Sequence, residues 1–363
     1  MRRLLSIAVG LALSSSVVGQ TFDFNLPTDD RWQYPFNFSG GNRATASTFS
    51  SLGSGIPSFN NFNDRDGLVL VAWDTSGLIT PGLGAGNYSI ASVRIVVTNE
   101  SGATWPIDLT ADEWFTNDVN NSGSINADGV PRGQPGDTDG ESSDSDPGRT
   151  VELFGMGFGP NFTATTWTEA SAYVGGTNTT FAQRDPFPMD FDAGQPRHIE
   201  DHVQVGFFTP TPWAIGTPVG YTPGAQNVPF DVTFDIDLSV SGGLVRAYFQ
   251  ERLNAGRVLI TLSSLTDTVQ GGTPGGVPSF YQSEAIGIPL AKAPQLIITL
   301  GSPDVPGDVD GNGCVNLTDL ATLLSDFGAT SGHTRADGDL DGDGDVDLTD
   351  LATLLSNFGG GTC

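Results

Sequence analysis

Asp308-Val-Asp-Gly-Asn-Gly-Cys-Val-Asn-Leu-Thr-Asp-Leu-Ala-Thr-Leu-Leu-Ser-Asp-Phe-Gly328 returns as Asp339-Leu-Asp-Gly-Asp-Gly-Asp-Val-Asp-Leu-Thr-Asp-Leu-Ala-Thr-Leu-Leu-Ser-Asn-Phe-Gly359. The offset is 31 residues and 16 of 21 positions are identical. Each copy opens on a loop with oxygen-bearing side chains at alternate positions. Calcium takes about six to eight oxygen ligands, and a loop of about twelve residues supplies them from positions 1, 3, 5, 7, 9 and 12, with Gly at 6 for the turn. In the first copy these positions are Asp308, Asp310, Asn312, the Cys314 carbonyl, Asn316 and Asp319, with Gly313 at the turn. In the second they are Asp339, Asp341, Asp343, the Asp345 carbonyl, Asp347 and Asp350, with Gly344 at the turn. Position 8 is Val315 or Val346, apolar as expected for residues that pair the two loops through a short β contact. Counting side-chain carboxylates gives three ligands in the first loop and five in the second. Affinity follows ligand charge, so the second loop is expected to bind calcium more tightly.

Behind each loop, Leu320, Leu323, Leu324 and Phe327, then Leu351, Leu354, Leu355 and Phe358, fall at i, i+3, i+4, i+7. This spacing predicts one apolar helical stripe per copy, stopped by Gly328 and Gly359. A unit this small buries little core and depends on staples. From Asp304 to the end there are twelve acidic residues and one Arg, so without calcium the segment repels itself and is expected to loosen.

Working outward, residues 301–306 read as a short linker, and residues 20–300 form a larger body of different texture. Apolar or alternating runs occur at Leu68–Trp73, Ser89–Thr98, Val151–Phe158, Val203–Phe208, Val228–Val240, Arg257–Leu262 and Gln295–Leu300. Gly, Pro, Asn and Thr clusters separate them, which predicts a mainly β fold, a large sandwich or jelly roll. Leu244, Val245, Tyr248, Phe249 and Leu253 share one helical face, so one short helix is expected, with Ser241 capping its start and Gly256 its end. Residues 117–149 carry many acids and glycines without periodicity and read as a long surface loop.

The 363 residues include 42 acidic and 15 basic side chains, a net charge of −27. Nucleic-acid binding needs a basic surface, and this chain has no surplus of basic residues to build one, so no nucleic-acid partner is expected. Residues 1–19 have a basic start, a short apolar run and a small-residue tail, the pattern of a secretory signal peptide. No later run is apolar enough to span a bilayer, so the mature chain is expected without a transmembrane anchor, secreted or at the cell surface. In that oxidising setting the two cysteines, Cys314 and Cys363, are expected to form one disulfide.

Residues 307–363 resemble a type I dockerin, and the cysteine pair makes them most similar to the GC-type dockerin-like tails of exported bacterial proteins. The resemblance rests on two loops of the form Asp-x-Asp-x-(Asp/Asn)-Gly-x-Val-x-Leu-Thr-Asp-Leu, each followed by a Leu-Leu…Phe-Gly helix. It implies a small helical calcium-binding module that docks onto a cohesin. Loop positions 10 and 11, which help choose the partner in that family, are Leu317-Thr318 and Leu348-Thr349, identical in both copies and so implying two pseudo-symmetric docking faces. These helices carry no Lys or Arg, unlike many cellulosomal dockerins, so a cohesin-like or another surface receptor is implied. The last third of the body faintly resembles the DNRLRE-type secreted β-sandwich modules, some of which bind polysaccharide.

In the body, Asp118, Asn120, Ser122, Asn126 and Asp128 imitate part of a calcium loop and form a possible third site. Trp32, Tyr34, Phe36 and Phe38 alternate, so in a strand they share a face, either a platform for sugar rings or core. His198 and His202 have zinc-compatible helical spacing, but the following apolar run reads as a strand, where they would diverge. No catalytic residues emerge: a Gly-x-Ser-x-Gly elbow and a Cys–His pair are both absent. Two functions follow as expectations. One is a non-catalytic surface component, its tail anchoring and its body binding carbohydrate or protein. The other is a dockerin-borne polysaccharide-degrading hydrolase or lyase, recognised by two convergent carboxylates in a cleft.

Overall fold

A computed structural model describes residues 19–34, 43–52, 67–100, 108–109, 150–172, 185–199, 210–221, 229–264, 266–269, 276–301 and 305–361. The chain divides into a body, Thr21–Thr299, and a C-terminal unit beginning at Leu300.

The body is a β-sandwich. Its strands are β1 (Gln20–Phe24), β2 (Asp29–Gln33), β3 (Thr45–Ser47), β4 (Ser50–Leu52), β5 (Leu68–Asp74), β6 (Ile90–Thr98), β7 (Val151–Gly157) and β8 (Phe187–Asp192). They continue with β9 (Gln195–His198), β10 (Ala214–Ile215), β11 (Thr217–Pro218), β12 (Asp231–Asp235), β13 (Arg257–Ser264), β14 (Asp267–Val269), β15 (Ser279–Tyr281) and β16 (Gln295–Leu300). One sheet runs β1-β16-β6-β12-β11; the other runs β2-β5-β13-β7-β8-β9, with β10 also on β7. Small ribbons pair β3 with β15 and β4 with β14. The chain passes from the second sheet to the first within five residues: Ala214 and Ile215 pair with β7, then Thr217 and Pro218 pair with β12.

Apolar patterning explains the difference between the sheets. In β6 and β12 the buried Val93, Ile95, Val97, Val232 and Phe234 alternate with exposed or half-exposed residues, so that sheet has one solvated face. In β5, β7 and β13 nearly every residue is buried. One face of these central strands is closed by the segment after β7: Ala164, Trp167, Phe158 and Phe162 pack on Leu68, Leu70, Ala72, Met156 and Leu259. The continuous apolar run Leu68–Trp73 is thus a strand covered on both faces.

The expected helix is α1 (Leu244–Asn254), with Val245, Tyr248, Phe249 and Leu253 buried. The Tyr248 hydroxyl donates to the Leu259 carbonyl (2.8 Å) and accepts from the Met156 amide (3.0 Å), tying α1 to two strands. Trp213 packs edge-on to Tyr248 and Phe249, and its indole N–H donates to Asp190 (2.9 Å). Its ring lies over Gly155, where an added Cβ would sit 2.2 Å from it; only glycine fits there.

Several sequence expectations are corrected. Ser241 does not cap α1; the N-cap is Gly243, and Ser241 sits in a left-handed turn before it. The strand expected over Val228–Val240 covers only Asp231–Asp235, because Asp237 accepts from the Ser239 amide and hydroxyl and turns the chain toward α1. His198 ends β9, buried and stacked on Phe187 at 4.6 Å. His202, Phe36, Phe38, Val203–Phe208 and the possible third calcium site (Asp118, Asn120, Ser122, Asn126, Asp128) lie outside the described residues. Trp32 and Tyr34 do stack, at 5.6 Å, but Arg43 lies over Trp32 and Phe49 meets Tyr34 edge-on, so protein groups already occupy these rings.

The C-terminal unit holds α2 (Leu317–Ser325) and α3 (Leu348–Ser356). Its core is Val309, Val315, Leu323, Val346 and Leu354. Only Leu323 and Leu354 of the expected stripes are buried; Leu320 and Leu351 are half-buried, and Leu324, Phe327, Leu355 and Phe358 face solvent. Two short helices offer too little facing surface to cover the whole stripe.

Candidate metal centre and docking face

Each helix begins where its loop ends, and the same side chains do both jobs. Asn316, in extended conformation, accepts from the Thr318 amide (2.7 Å), while Asp319 reaches back to the Asn316 amide (2.8 Å). Asp347 and Asp350 repeat this capping box on α3 at 2.6 and 2.7 Å. Position 9 is therefore the N-cap and position 12 the third helical residue. The other oxygen of Asp319 accepts from the Val309 and Asp310 amides at 2.8 and 3.1 Å, and that of Asp350 from Leu340 and Asp341 at 2.7 and 3.2 Å. A short Asp at position 12 thus stays anchored to the start of its own loop. Gly313 and Gly344, at φ of 88° and 91°, make the turns, and their amides donate to Asp308 and Asp339.

The carboxylates converge. Oxygens of Asp308, Asp310 and Asp319 lie within 4.8 Å of one another, as do those of Asp339, Asp341 and Asp350. A second grouping in the later loop joins Asp345, Asp347 and Asp350. The structure does not bring Asp343 into either group; its carboxylate accepts from the Asp345 amide (3.1 Å). Asn312 accepts from the Cys314 amide (3.0 Å) and donates to Asp310 (2.9 Å). Burial pushes the Asp308 carboxyl up, opposed by hydrogen bonds from Gly313 and Asn312 and reinforced by the charges of Asp319 and Asp310. Desolvation, followed by the charges of Asp343, Asp347, Asp350 and Asp341, raises Asp345. Asp345 Oδ1 is buried without a hydrogen-bond partner. An orphaned carboxylate oxygen inside an acidic cluster fits a hard divalent cation, which satisfies both charge and lone pairs.

Two features were not read from the sequence. The side chain of Asp345, assigned only a carbonyl role, joins the cluster; the signal was its replacement by Cys314 in the first copy. Arg335, between the repeats, donates to the Asp308 and Val305 carbonyls at 3.3 and 2.9 Å and so steadies the first loop, a long-range contact with no local pattern.

The expected pairing of Val315 with Val346 is not what forms. The Val315 amide donates to the Gly360 carbonyl (2.9 Å) and its carbonyl accepts from Gly359 (2.8 Å). Val346 bonds in the same way to Ala329 and Gly328, at 3.0 and 2.8 Å. Each loop is clasped by the segment leaving the other copy's helix, which uses up the groups a direct pairing would need.

Outside the core, Leu317 and Leu348 are 72% and 71% exposed, with Thr318 and Thr349 exposed beside them. Leu324, Phe327, Leu355 and Phe358 are exposed as well, so each copy leaves the same three large apolar side chains in solvent.

In the body, oxygens of Asp30, Glu169 and Glu284 also lie within 4.8 Å of one another. Asp30 is 1% exposed, and both its oxygens accept from Ser283, from the amide at 2.7 Å and the hydroxyl at 2.9 Å. Glu169 accepts from the Asp30 amide (3.4 Å). Burial raises Asp30 to about 7 from 3.8; the Ser283 hydrogen bonds oppose the shift, and the charges of Glu284 and Glu169 add to it. The folded state therefore binds more protons than the unfolded one between about pH 4 and 7, and this group's contribution to stability falls as pH rises through that window. Asp30→Asn keeps an acceptor for the Ser283 amide and removes the buried charge. It should stabilise the body by about 2 kcal/mol at pH 8 and flatten the pH profile. Urea unfolding followed by tryptophan fluorescence reads this cleanly, since all six Trp residues precede residue 214. A variant that keeps the wild-type slope would discard the assignment.

Residues 306–358 match the family model of the dockerin type I domain. No curated protein and no solved structure matches the chain. Residues 306–358 of the C-terminal unit are therefore a type I dockerin domain, a family whose members bind calcium and assemble with cohesins. Among the described residues, no helix is long and apolar enough to cross a membrane.

Proposed function

We propose that this is an exported protein, assembled at the cell surface through its calcium-loaded C-terminal module, with a non-catalytic body that binds carbohydrate or protein. Calcium is held in the first loop by Asp308, Asp310, Asn312, the Cys314 carbonyl, Asn316 and Asp319. In the second it is held by Asp339, Asp341, Asp343, Asp345, Asp347 and Asp350. The observation that carries the docking role is this duplicated apolar exposure, since an isolated unit of this size gains nothing by leaving six large apolar side chains in water. Leu317-Thr318 and Leu348-Thr349 form the two equivalent centres of contact with a cohesin-like receptor. Cys314 and Cys363 close as a disulfide; the backbone bridge between Cys314 and Gly361, two residues before Cys363, supports this.

The alternative, a polysaccharide-degrading hydrolase, would need an open pair of carboxylates. Asp30, Glu169 and Glu284 converge, but Asp30 is closed off and committed to Ser283, which favours a structural clasp. Release of soluble sugar from a polysaccharide panel would reverse that preference.

The docking role is tested by surface plasmon resonance of the full-length protein against a panel of cohesin modules and envelope extract from the producing cell. Binding should require calcium, survive either Leu317→Asp or Leu348→Asp, and fall at least about 100-fold in the double variant, the loss of about 3 kcal/mol from an apolar anchor. A partner that binds the double variant as well as wild type would overturn the assignment.

A further inference from the structure

The body contains a cavity of about 500 Å³ whose lining combines two aromatic rings with a charge pair. It lies at the end of the first sheet, where Thr98 closes β6 opposite Asp231, the first residue of β12. Tyr221 and Phe230 form one wall, with ring centroids 5.1 Å apart and both rings half-buried. Val219 and Leu290 form the apolar rim, 52% and 68% exposed. Leu290 holds a φ of 69°, a left-handed conformation costly for a side chain of its kind, and so keeps a strained residue at the mouth. The polar part is Asp231, which accepts from the Thr98 hydroxyl at 2.8 Å on one oxygen and from Lys292 at 2.7 Å on the other.

We infer that this cavity binds a neutral pyranose unit of a polysaccharide, its apolar ring face against Tyr221 and Phe230 and its hydroxyls bridging Asp231 and Lys292. The volume falls within the range of small-ligand sites, roughly 300–1,000 Å³. Aromatic walls suit a ring with C–H groups on one face, and a sugar hydroxyl both donates and accepts. Lys292 retains two N–H donors beyond its bond to Asp231, and each Asp231 oxygen retains a lone pair. A cation would find no net negative charge, because Lys292 neutralises Asp231. An anionic sugar would meet a charge-neutral pair on a chain of net charge −27 and be repelled.

This assignment rests on the carbohydrate-binding reading of the body and names its site. The test is calorimetric titration of the full-length protein, with calcium present, by cellohexaose, xylohexaose, mannohexaose, laminarihexaose and, as the charged contrast, hexagalacturonate. At least one neutral hexasaccharide should bind, and Tyr221→Ala and Lys292→Met should each weaken it at least ten-fold. The Lys292 side chain is 64% exposed, so its variant keeps the fold and stands as the safeguard should Tyr221→Ala fail to fold. If no hexasaccharide binds, the carbohydrate reading falls and the site with it. If one binds but Lys292→Met leaves its affinity unchanged, the site is wrong and the reading survives. Preference for hexagalacturonate would overturn the neutral class.

Discussion

Chelating calcium from the full-length protein is expected to unfold the C-terminal unit while the body stays folded. The buried core of that unit is five aliphatic side chains, too few to offset the ordering of more than fifty residues. In the absence of a cation, carboxylate oxygens lie within 4.8 Å of one another in three groups: Asp308, Asp310 and Asp319; Asp339, Asp341 and Asp350; and Asp345, Asp347 and Asp350. Ligation reverses the sign of that repulsion, and the binding free energy becomes folding free energy. At free calcium about 1,000-fold above Kd, each site contributes about 4 kcal/mol, and two contribute about 8. No Trp or Tyr follows Tyr281, so aromatic fluorescence reports only the body. The expected result is a loss of helical circular dichroism and rapid proteolysis after residue 300 in EGTA, with the tryptophan unfolding transition unmoved. Protease resistance of that segment equal with and without calcium would end the metal-centred account. In titrations, Asp339→Ala should abolish the tighter of two binding events, since the second loop carries more carboxylates.

What could be read in advance depended on whether the cause was local. The helix over Leu244–Asn254 and the loop ligands at alternate positions follow from periodicity and residue chemistry within a dozen residues. The continuous run Leu68–Trp73 was legible as a strand, but not as one buried on both faces; that depends on Trp167 and Phe162 arriving from a distant segment. The apolar stripes behind the loops are legible as shared helical faces, yet only Leu323 and Leu354 of them are buried, and Leu324, Phe327, Leu355 and Phe358 remain outside. Periodicity reports which residues share a face and is silent on whether that face meets its own chain or a partner. The reciprocal clasp of Val315 by Gly359–Gly360 and of Val346 by Gly328–Ala329 was likewise hidden, because it exchanges partners between copies of the same text.

That clasp makes Asp350→Ala the substitution with the broadest expected damage. Asp350 is fully buried and accepts from three amides: those of Leu340 and Asp341 at the start of its loop, and that of Asp347 at the cap of α3. Truncation removes a ligand and leaves three donors without their partner, at about 1–3 kcal/mol for each one that stays buried. A total of about 3–5 kcal/mol at saturating calcium is expected, with the first turn of α3 frayed. The effect should not stop at the second loop. Val315, at the heart of the first, is held by Gly359 and Gly360 directly beyond α3, so fraying that helix loosens the first site as well. Asp343→Ala is the milder contrast: it removes one proposed ligand and so should weaken the second site, but its side chain is exposed, lies outside both carboxylate groups and holds a single amide at 3.1 Å, so it should cost the fold less than about 1 kcal/mol. Calorimetry should then find two calcium ions per chain in wild type and Asp343→Ala, and fewer than one in Asp350→Ala at calcium levels that saturate wild type. An Asp350→Ala protein that still binds one calcium with wild-type affinity would show the two loops to be independent and the clasp to be without energetic consequence.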